Sequence, residues 1–197
     1  MSDDRPLPSA TPRPRVTGED RLPGDLPPRR MVERMIRVDH AGEYGAIRIY
    51  EGQLAVLGRT SPRATVIRHM AGQERKHLDA FDRLIVERRV RPTLLTPVWH
   101  VAGFALGAAT ALLGERAAMA CTVAVEEAID EHYASQARQL GDDEAPLRDT
   151  IEQFRLEELE HRDTGLAHEA EQAPAYPLLS AAIKAGCRAA IWLSTRI

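Results

Sequence analysis

The sequence contains two copies of a Glu-x-x-His motif, a pattern whose side chains can bind a metal ion. The motifs begin at Glu74 and Glu158 and end at His77 and His161. Residues three positions apart leave the same face of an α-helix, so a carboxylate and an imidazole can reach one ion together. A single motif of this length is weak evidence, because it arises by chance in a Glu-rich sequence.

Two further glutamates, Glu43 and Glu126, each precede one of the two motifs. The interval between these two glutamates matches the interval between the two motifs to within one position. A single Glu followed by Glu-x-x-His therefore occurs twice. A four-helix bundle can place one Glu from each of two helices, and Glu-x-x-His from each of the other two, around two metal ions. The predicted metal ligands are Glu43, Glu74, His77, Glu126, Glu158 and His161.

These residue types favour a pair of iron ions. Carboxylate and imidazole ligands suit iron or manganese, whereas thiolates select other ions. Two neighbouring irons need carboxylates between or beside them to offset their charge, and Glu74 and Glu158 are placed to supply these. One imidazole for each ion, from His77 and His161, leaves positions open for oxygen. A zinc site would need four ligands and no duplication.

The candidate ligands lie on segments with the three- and four-residue periodicity of amphipathic helices. Each of four segments has an apolar stripe with a glutamate in its middle. Burying a carboxylate among apolar residues is unfavourable unless it is paired or binds a metal. A buried network with Lys or Arg is the alternative, although the stripes contain neither residue. The predicted helices span 31–57, 62–89, 98–140 with an interruption near Gly114, 146–171 and 178–195.

Several neighbours of the candidate ligands have roles that the stripes alone do not assign. Glu127, Glu157 and Glu160 point away from the stripes and are predicted to be solvated. His40 and His168 lie one turn from candidate ligands. Each is either a hydrogen-bond partner of the site or a histidine satisfied within the core.

His132 and Tyr133 are the candidate catalytic residues. They follow Glu126 by six and seven positions, which places them near the proposed site. A role in proton or electron transfer and a role in packing are equally compatible with this spacing. His69 and His100 have no comparable placement and are not predicted to be ligands.

Composition narrows the class of protein. The 197 residues fit one domain, and only 5% are aromatic while Ala, Leu, Glu and Arg are abundant, which favours an all-α fold. The net charge of −3 argues against a nucleic-acid partner. Cys121 and Cys187 lie among small residues and are predicted to be buried rather than disulfide-bonded.

Three segments lie outside the striped helices. Residues 1–29 hold seven of the thirteen prolines, which predicts a disordered tail before a single domain at 30–197. Residues 98–113 carry no Asp, Glu, Lys or Arg, but this segment is shorter than a bilayer span. Residues 176–197 predict an amphipathic helix in a membrane interface. A soluble core or an oligomer contact is the alternative for both apolar segments.

Longer motifs make the sequence resemble the demethoxyubiquinone hydroxylase family of ubiquinone biosynthesis. The resemblance rests on RVDHAGEYGAIRIYEGQ (37–53), QERKHLDAF (73–81), ACTVAVEEAIDEHY (120–133), EELEHRDTGLAHEAEQAPAYPLL (157–179) and AGCRAAIWLS (185–194). It implies a ferritin-like bundle with a di-iron centre whose ligands are the six residues above, with Glu126 rather than Glu127. A His-Tyr pair of the family falls on His132 and Tyr133, whereas Glu131 stands where some members have a histidine.

The resemblance implies an O2-dependent monooxygenase that hydroxylates the ring of a polyprenyl methoxy-methyl-benzoquinol. NADH is the implied electron source, with the quinone as a relay, although the sequence shows no dinucleotide fingerprint. A substrate with a lipid tail requires access from a membrane. We expect peripheral binding at the cytoplasmic face of a bacterial inner membrane, because no transit sequence is visible.

Two other functions share some of these features. The first is a different ferritin-like di-iron protein that handles peroxide or iron, and the second is a non-enzymatic quinone-binding protein. The sequence does not decide between a single copy and a homo-oligomer, and a lipid-binding protein of the ubiquinone pathway is a further candidate partner.

Overall fold

The computed structural model describes residues 26–58 and 61–197, and these residues are mostly helical. The helices are α1 (Pro28–Leu57), α2 (Pro62–Glu87), α3 (Thr96–Leu112), α4 (Glu115–Gln139), α5 (Ala145–Ala167) and α6 (Tyr176–Ser194). Two single-turn 3-10 helices, Asp142–Glu144 and Ala170–Gln172, precede α5 and α6. The described ranges contain no β-strand, so the prediction of an all-α fold is confirmed.

The helix ends follow from local sequence. α1 begins at Pro28, slightly before its predicted start, because proline has a helix-compatible φ and no N–H to leave unpaired. The predicted tail lies outside the described residues as far as residue 25. Gly114 has a φ of 114° and separates α3 from α4, as its position in the sequence predicts. Glycine tolerates this backbone conformation at little cost because it has no Cβ.

The striped helices α1, α2, α4 and α5 form the interior of the molecule. α1 packs on α2, and α4 packs on α5. The apolar residues of the stripes are buried at both ends of the bundle, including Ile36, Ile67, Phe81 and Ile151, none of which is exposed. These two apolar ends enclose the polar middle of each stripe.

The remaining helices, α3 and α6, lie outside the bundle, α3 against α1 and α6 against α4. The backbones of α1 and α3 are in close contact. A methyl group added at Gly107 would overlap the carbonyl oxygen of Ile49, and one added at Gly52 would overlap that of Phe104. Only glycine permits two helices to approach this closely.

Large apolar side chains are exposed on the two outer helices and at their ends. They are Val98, Val101, Leu112, Leu113, Leu178 and Trp192. The start of α3 is joined to the end of α6 by a hydrogen bond of 2.9 Å from Trp99 Nε1 to Ser194 Oγ. Among the described helices, none has the length and hydropathy needed to cross a bilayer. The two cysteines are free, with Cys121 buried and Cys187 partly buried.

Candidate metal centre

The six predicted ligands meet in the middle of the four-helix interior. Each is at most 2% exposed. Glu43 lies on α1 and Glu126 on α4, whereas α2 and α5 each contribute a Glu-x-x-His pair. The structure therefore brings together all the residues that the repeated spacing selected, from four different helices.

The six residues form two overlapping groups that can each hold a metal ion. The groups are Glu43, Glu74, His77 and Glu158 (position 1) and Glu74, Glu126, Glu158 and His161 (position 2). Within each group, one ligand atom from every residue lies within 4.8 Å of the others. Glu74 and Glu158 belong to both groups, so their carboxylates are placed to bridge two ions.

Both imidazoles direct Nδ1 towards the shared carboxylates. His77 Nδ1 is 3.1 Å from Glu158 Oε1 and 3.7 Å from Glu74 Oε2. His161 Nδ1 is 3.0 Å from Glu74 Oε1 and 3.1 Å from Glu158 Oε2. The Nε2 atoms face away from the cluster, so Nδ1 is the nitrogen available to a metal.

The hydrogen bonding of the carboxylates is incomplete in a way that fits bound metal. Glu43 Oε2, both oxygens of Glu74 and Glu126 Oε2 are buried and accept no hydrogen bond from the described residues. Within that part of the chain, the ion-pair partners of Glu43, Glu74 and Glu158 are histidines, not Lys or Arg. Buried carboxylates without cationic partners are unfavourable, and two divalent ions would satisfy both the charge and the free oxygens.

The pKa values of the cluster are those of a site that holds protons when it holds no metal. Burial raises the pKa of Glu126 well above its usual value, and the nearby Glu158 and Glu74 raise it further. Burial also raises the pKa of Glu43. For His161, burial lowers the pKa, but the interactions with the carboxylates of Glu158 and Glu74 outweigh this effect and raise the pKa to about 9. Metal binding would displace these protons.

Each single glutamate accepts a hydrogen bond from a tyrosine on the opposite helix. Tyr50 Oη donates to Glu126 Oε1 at 2.9 Å, and Tyr133 Oη donates to Glu43 Oε1. Burial raises the pKa of both tyrosines well above the usual value, so both remain protonated donors. The sequence analysis assigned Tyr50 no role at the site. The available signal was its spacing, seven positions after Glu43, which Tyr133 repeats after Glu126.

The outer nitrogens of the two imidazoles have different partners. His77 Nε2 lies 2.9 Å from Glu157 Oε2, and His161 Nε2 lies 3.1 Å from Gln73 Oε1. The prediction that Glu157 is solvated is therefore wrong. It lies at the edge of the buried stripe of α5 with a side-chain exposure of 27%, and from there its carboxylate reaches the histidine on α2.

His132 does not contact the cluster directly. Its Nε2 is 3.0 Å from Asp39 Oδ1, and Gln136 Nε2 donates to the same oxygen at 2.8 Å. Burial raises the pKa of Asp39, and the interaction with His132 opposes that rise. Of the two candidate catalytic residues, Tyr133 thus touches a candidate ligand, whereas His132 belongs to a polar network next to it.

The remaining histidines have other partners. His40 Nε2 is 3.0 Å from Asp82 Oδ1, and His168 Nδ1 donates to the carbonyl oxygen of Thr164 at 2.8 Å. His100 Nδ1 is bonded to the Tyr44 hydroxyl at 2.6 Å. In the described ranges, neither His40 nor His168 forms a hydrogen bond to the cluster.

The register of α4 follows the stripe. Glu126 is 1% exposed and faces the cluster. Glu127 forms an ion pair with Lys184 on α6, outside the cluster. The inward orientation of Glu126 is the one that its apolar stripe predicts.

Comparison with known proteins points to one family. Residues 30–194 match the family described as "Ubiquinone biosynthesis protein COQ7". A Rhodospirillum rubrum protein named 3-demethoxyubiquinol 3-hydroxylase is 65% identical over 183 residues, covering 93% of this chain and 86% of the relative. A Rattus norvegicus protein named NADPH-dependent 3-demethoxyubiquinone 3-hydroxylase, mitochondrial, is 62% identical over 172 residues, covering 85% and 79%. The Saccharomyces cerevisiae 5-demethoxyubiquinone hydroxylase, mitochondrial, is 44% identical over 182 residues, covering 84% and 78%.

Proposed function

Because the chain belongs to the COQ7 family of ubiquinone biosynthesis proteins, we propose that it is a monooxygenase that uses O2 to hydroxylate the ring of a polyprenyl demethoxyubiquinol. The observation that carries this proposal is the pair of buried metal positions sharing Glu74 and Glu158. The relatives that match over most of the chain are named as hydroxylases of this quinone.

Iron is the metal that this activity favours, with a ferritin-like bundle at residues 30–197 as its scaffold. When bound, the iron pair supplies the redox chemistry with O2. The chain would hold it with Glu43 and His77 at position 1, with Glu126 and His161 at position 2, and with Glu74 and Glu158 at both positions. The apolar ends of the bundle keep water out of the site, which strengthens every electrostatic interaction inside it.

Tyr133 and His132 are proposed to serve proton movement at the edge of the centre. The hydroxyl of Tyr133 donates a hydrogen bond to Glu43. Transfer of that proton to Glu43 would change the charge of a position 1 ligand. His132 is bonded to Asp39, and its side chain is 19% exposed, which connects this network to solvent. Tyr50 makes the corresponding contact to Glu126, and the described residues form no such network beside it.

The polyprenyl tail requires a lipid surface, and α3 and α6 are proposed to form it. Their exposed apolar residues, such as Val101 and Trp192, are 66% and 56% exposed, and burying such side chains in the acyl region of a membrane is favourable. We place the protein at the periphery of a bacterial inner membrane, on the cytoplasmic side. A reduced nicotinamide nucleotide is the proposed electron donor, since several relatives are named NADPH-dependent.

The quinone content of cells tests the proposed reaction. In cells lacking this gene, lipid extraction and mass spectrometry should show a quinone one methoxy group short of ubiquinone. The wild-type gene should restore ubiquinone. A gene that encodes the Glu158→Ala variant, expressed at the same level, should not. A normal ubiquinone pool in a strain without a second hydroxylase would reject the reaction and favour iron or peroxide handling by the same cluster.

Vesicle binding tests the lipid surface separately. Val101→Asp places a charge on the outer face of α3 and should lower co-sedimentation with phospholipid vesicles about tenfold, because the charge must enter the apolar region. Val86→Asp is the matched control, since Val86 is 76% exposed and belongs to α2 rather than to α3 or α6. Equal binding by both variants would contradict the assignment of this surface.

A further inference from the structure

The two halves of the metal centre are related by an internal repeat that fails at one position. Gln73 directly precedes the first Glu-x-x-His motif, and Glu157 directly precedes the second. Each reaches across to the histidine of the other motif. Gln73 lies 3.1 Å from His161 Nε2, and Glu157 lies 2.9 Å from His77 Nε2. The same place in the repeat thus holds a neutral amide on α2 and a carboxylate on α5.

We infer that this difference between Gln73 and Glu157 makes the two metal positions inequivalent, so that position 1 fills before position 2. Glu157 is then a positioning residue for His77. The inference rests on the proposed function only in requiring two metal ions between the six ligands. It concerns which position binds more tightly, and it holds for any divalent ion that the ligands accept.

The hydrogen bonds give the direction of the difference. When Nδ1 of an imidazole binds a metal, Nε2 carries the proton and donates it to a neighbour. A carboxylate accepts this hydrogen bond more strongly than an amide oxygen does, so His77 becomes the better electron donor to its metal. His161, bonded to the Gln73 amide, lacks this assistance.

Glu157 is held in place for this role. Its second oxygen, Oε1, accepts a hydrogen bond of 3.0 Å from Gln153 Nε2, one turn earlier on α5. Because Glu157 is a carboxylate and Gln73 is an amide, position 1 has one more acidic group beside it than position 2, and the negative charge of this group attracts a cation.

Titration of the metal-free chain with Mn2+ tests the inference, with the free ion counted by electron paramagnetic resonance. Two ions that share two carboxylates repel each other, so two binding steps are expected even for equal positions. The informative result is therefore which of the two binding steps changes its affinity in each variant. Removing an outer partner of a metal-bound histidine lowers metal affinity about tenfold or more.

The variants replace the outer hydrogen-bond partners of the two histidines, Glu157 and Gln73, by each other's residue type. Glu157→Gln should weaken the first step about tenfold and leave the second nearly unchanged, whereas Gln73→Glu should strengthen the second step. The double exchange should restore a wild-type pair of steps. Glu160→Gln is the charge-matched control, because Glu160 is exposed on the same helix, and it should leave both steps unchanged. Circular dichroism of each variant checks its fold.

The opposite pattern would overturn the inference. If Glu157→Gln weakened the second step, or if Gln73→Glu strengthened the first, position 2 would fill first or the positions would be equal. Unchanged steps in both variants would also reject it while leaving the proposed centre intact. A wild-type chain that binds fewer than two ions would overturn the metal centre itself, and the quinone profile tests the reaction independently.

Discussion

The half of the centre built on α1 and α2 and the half built on α4 and α5 contain the same ligand types at the same spacing. In each half a glutamate is followed after seven positions by a tyrosine, Tyr50 or Tyr133, that bonds the glutamate of the other half. Ten positions after each single glutamate stands a glutamine, Gln53 or Gln136. The shared pattern supplies the ligands that two neighbouring ions would require and the tyrosine hydrogen bonds to those ligands.

The halves differ in the residues around the tyrosines. At the end of the centre where Tyr133 lies, Asp39 forms hydrogen bonds with His132 and Gln136. When Glu43 is aligned with Glu126, the residues that correspond to Asp39 and His132 are Thr122 and Ile49. Ile49 packs in an apolar cluster with residues of α4 and α6. One end of the centre is therefore polar and the other is apolar on the side of the outer helices, a division that suits the proposed proton path and the proposed lipid substrate.

The shared glutamates give the strongest test of the symmetric part. Glu74→Ala and Glu158→Ala each remove a ligand from both positions, so each variant should lose both ions and all detectable hydroxylation. Iron analysis and turnover of a short-chain quinol measure the two effects. Glu160→Ala on the exposed face of α5 is the control. A variant that kept full activity would show that the sharing seen in the geometry has no chemical role.

The pH dependence of stability should reverse between the metal-free and metal-bound protein. The pKa of His161 is raised from 6.5 to about 9 in the folded chain, so the folded state binds protons more strongly than the unfolded state. This contribution is complete below pH 6.5 and is lost as the pH rises through about 9. The loss is on the order of 3 kcal/mol, and the raised pKa of Glu43 has the same sign.

Urea unfolding at several pH values measures this change. The metal-free protein should become less stable between pH 6.5 and about 9, whereas metal should bind more tightly as the ligands deprotonate. His161→Gln should flatten the metal-free profile. A metal-free protein whose stability increased over this range would contradict the proton-holding cluster.

The outer helices extend the comparison, because α3 meets α1 through backbone contacts and α6 meets α4 through side chains. Gly107→Ala places a methyl group against the Ile49 carbonyl and should lower the free energy of unfolding by about 3 kcal/mol. Gly186→Ala on α6 has no atom within 4 Å of the new methyl and should be neutral or slightly stabilising. Urea unfolding measures both, and equal effects would mean that α3 moves away from α1 at no cost.

Much of this arrangement could be predicted from the sequence. Periodicity predicted the helices and the break at Gly114. A carboxylate in each of the four apolar stripes, together with the two Glu-x-x-His motifs, marked the six residues of the cluster. The roles of Glu157 and Tyr50 could not be read in this way. Glu157 lies at the edge of its stripe, and its contact with His77 depends on how α2 and α5 are placed relative to each other. Periodicity describes one helix at a time, so contacts between helices remain outside its reach.

The two tyrosines provide the finest test of the difference between the ends. Tyr50→Phe and Tyr133→Phe each remove one hydrogen bond to a buried carboxylate, so both should lower stability by a similar 1.5–3 kcal/mol, about the value for bonds to charged groups. Their effects on turnover should differ. Only Tyr133 lies beside the network of Asp39 and His132, so its loss should lower kcat about tenfold more than that of Tyr50, with KM unchanged. Equal losses of kcat in the two variants would assign both tyrosines a purely structural role.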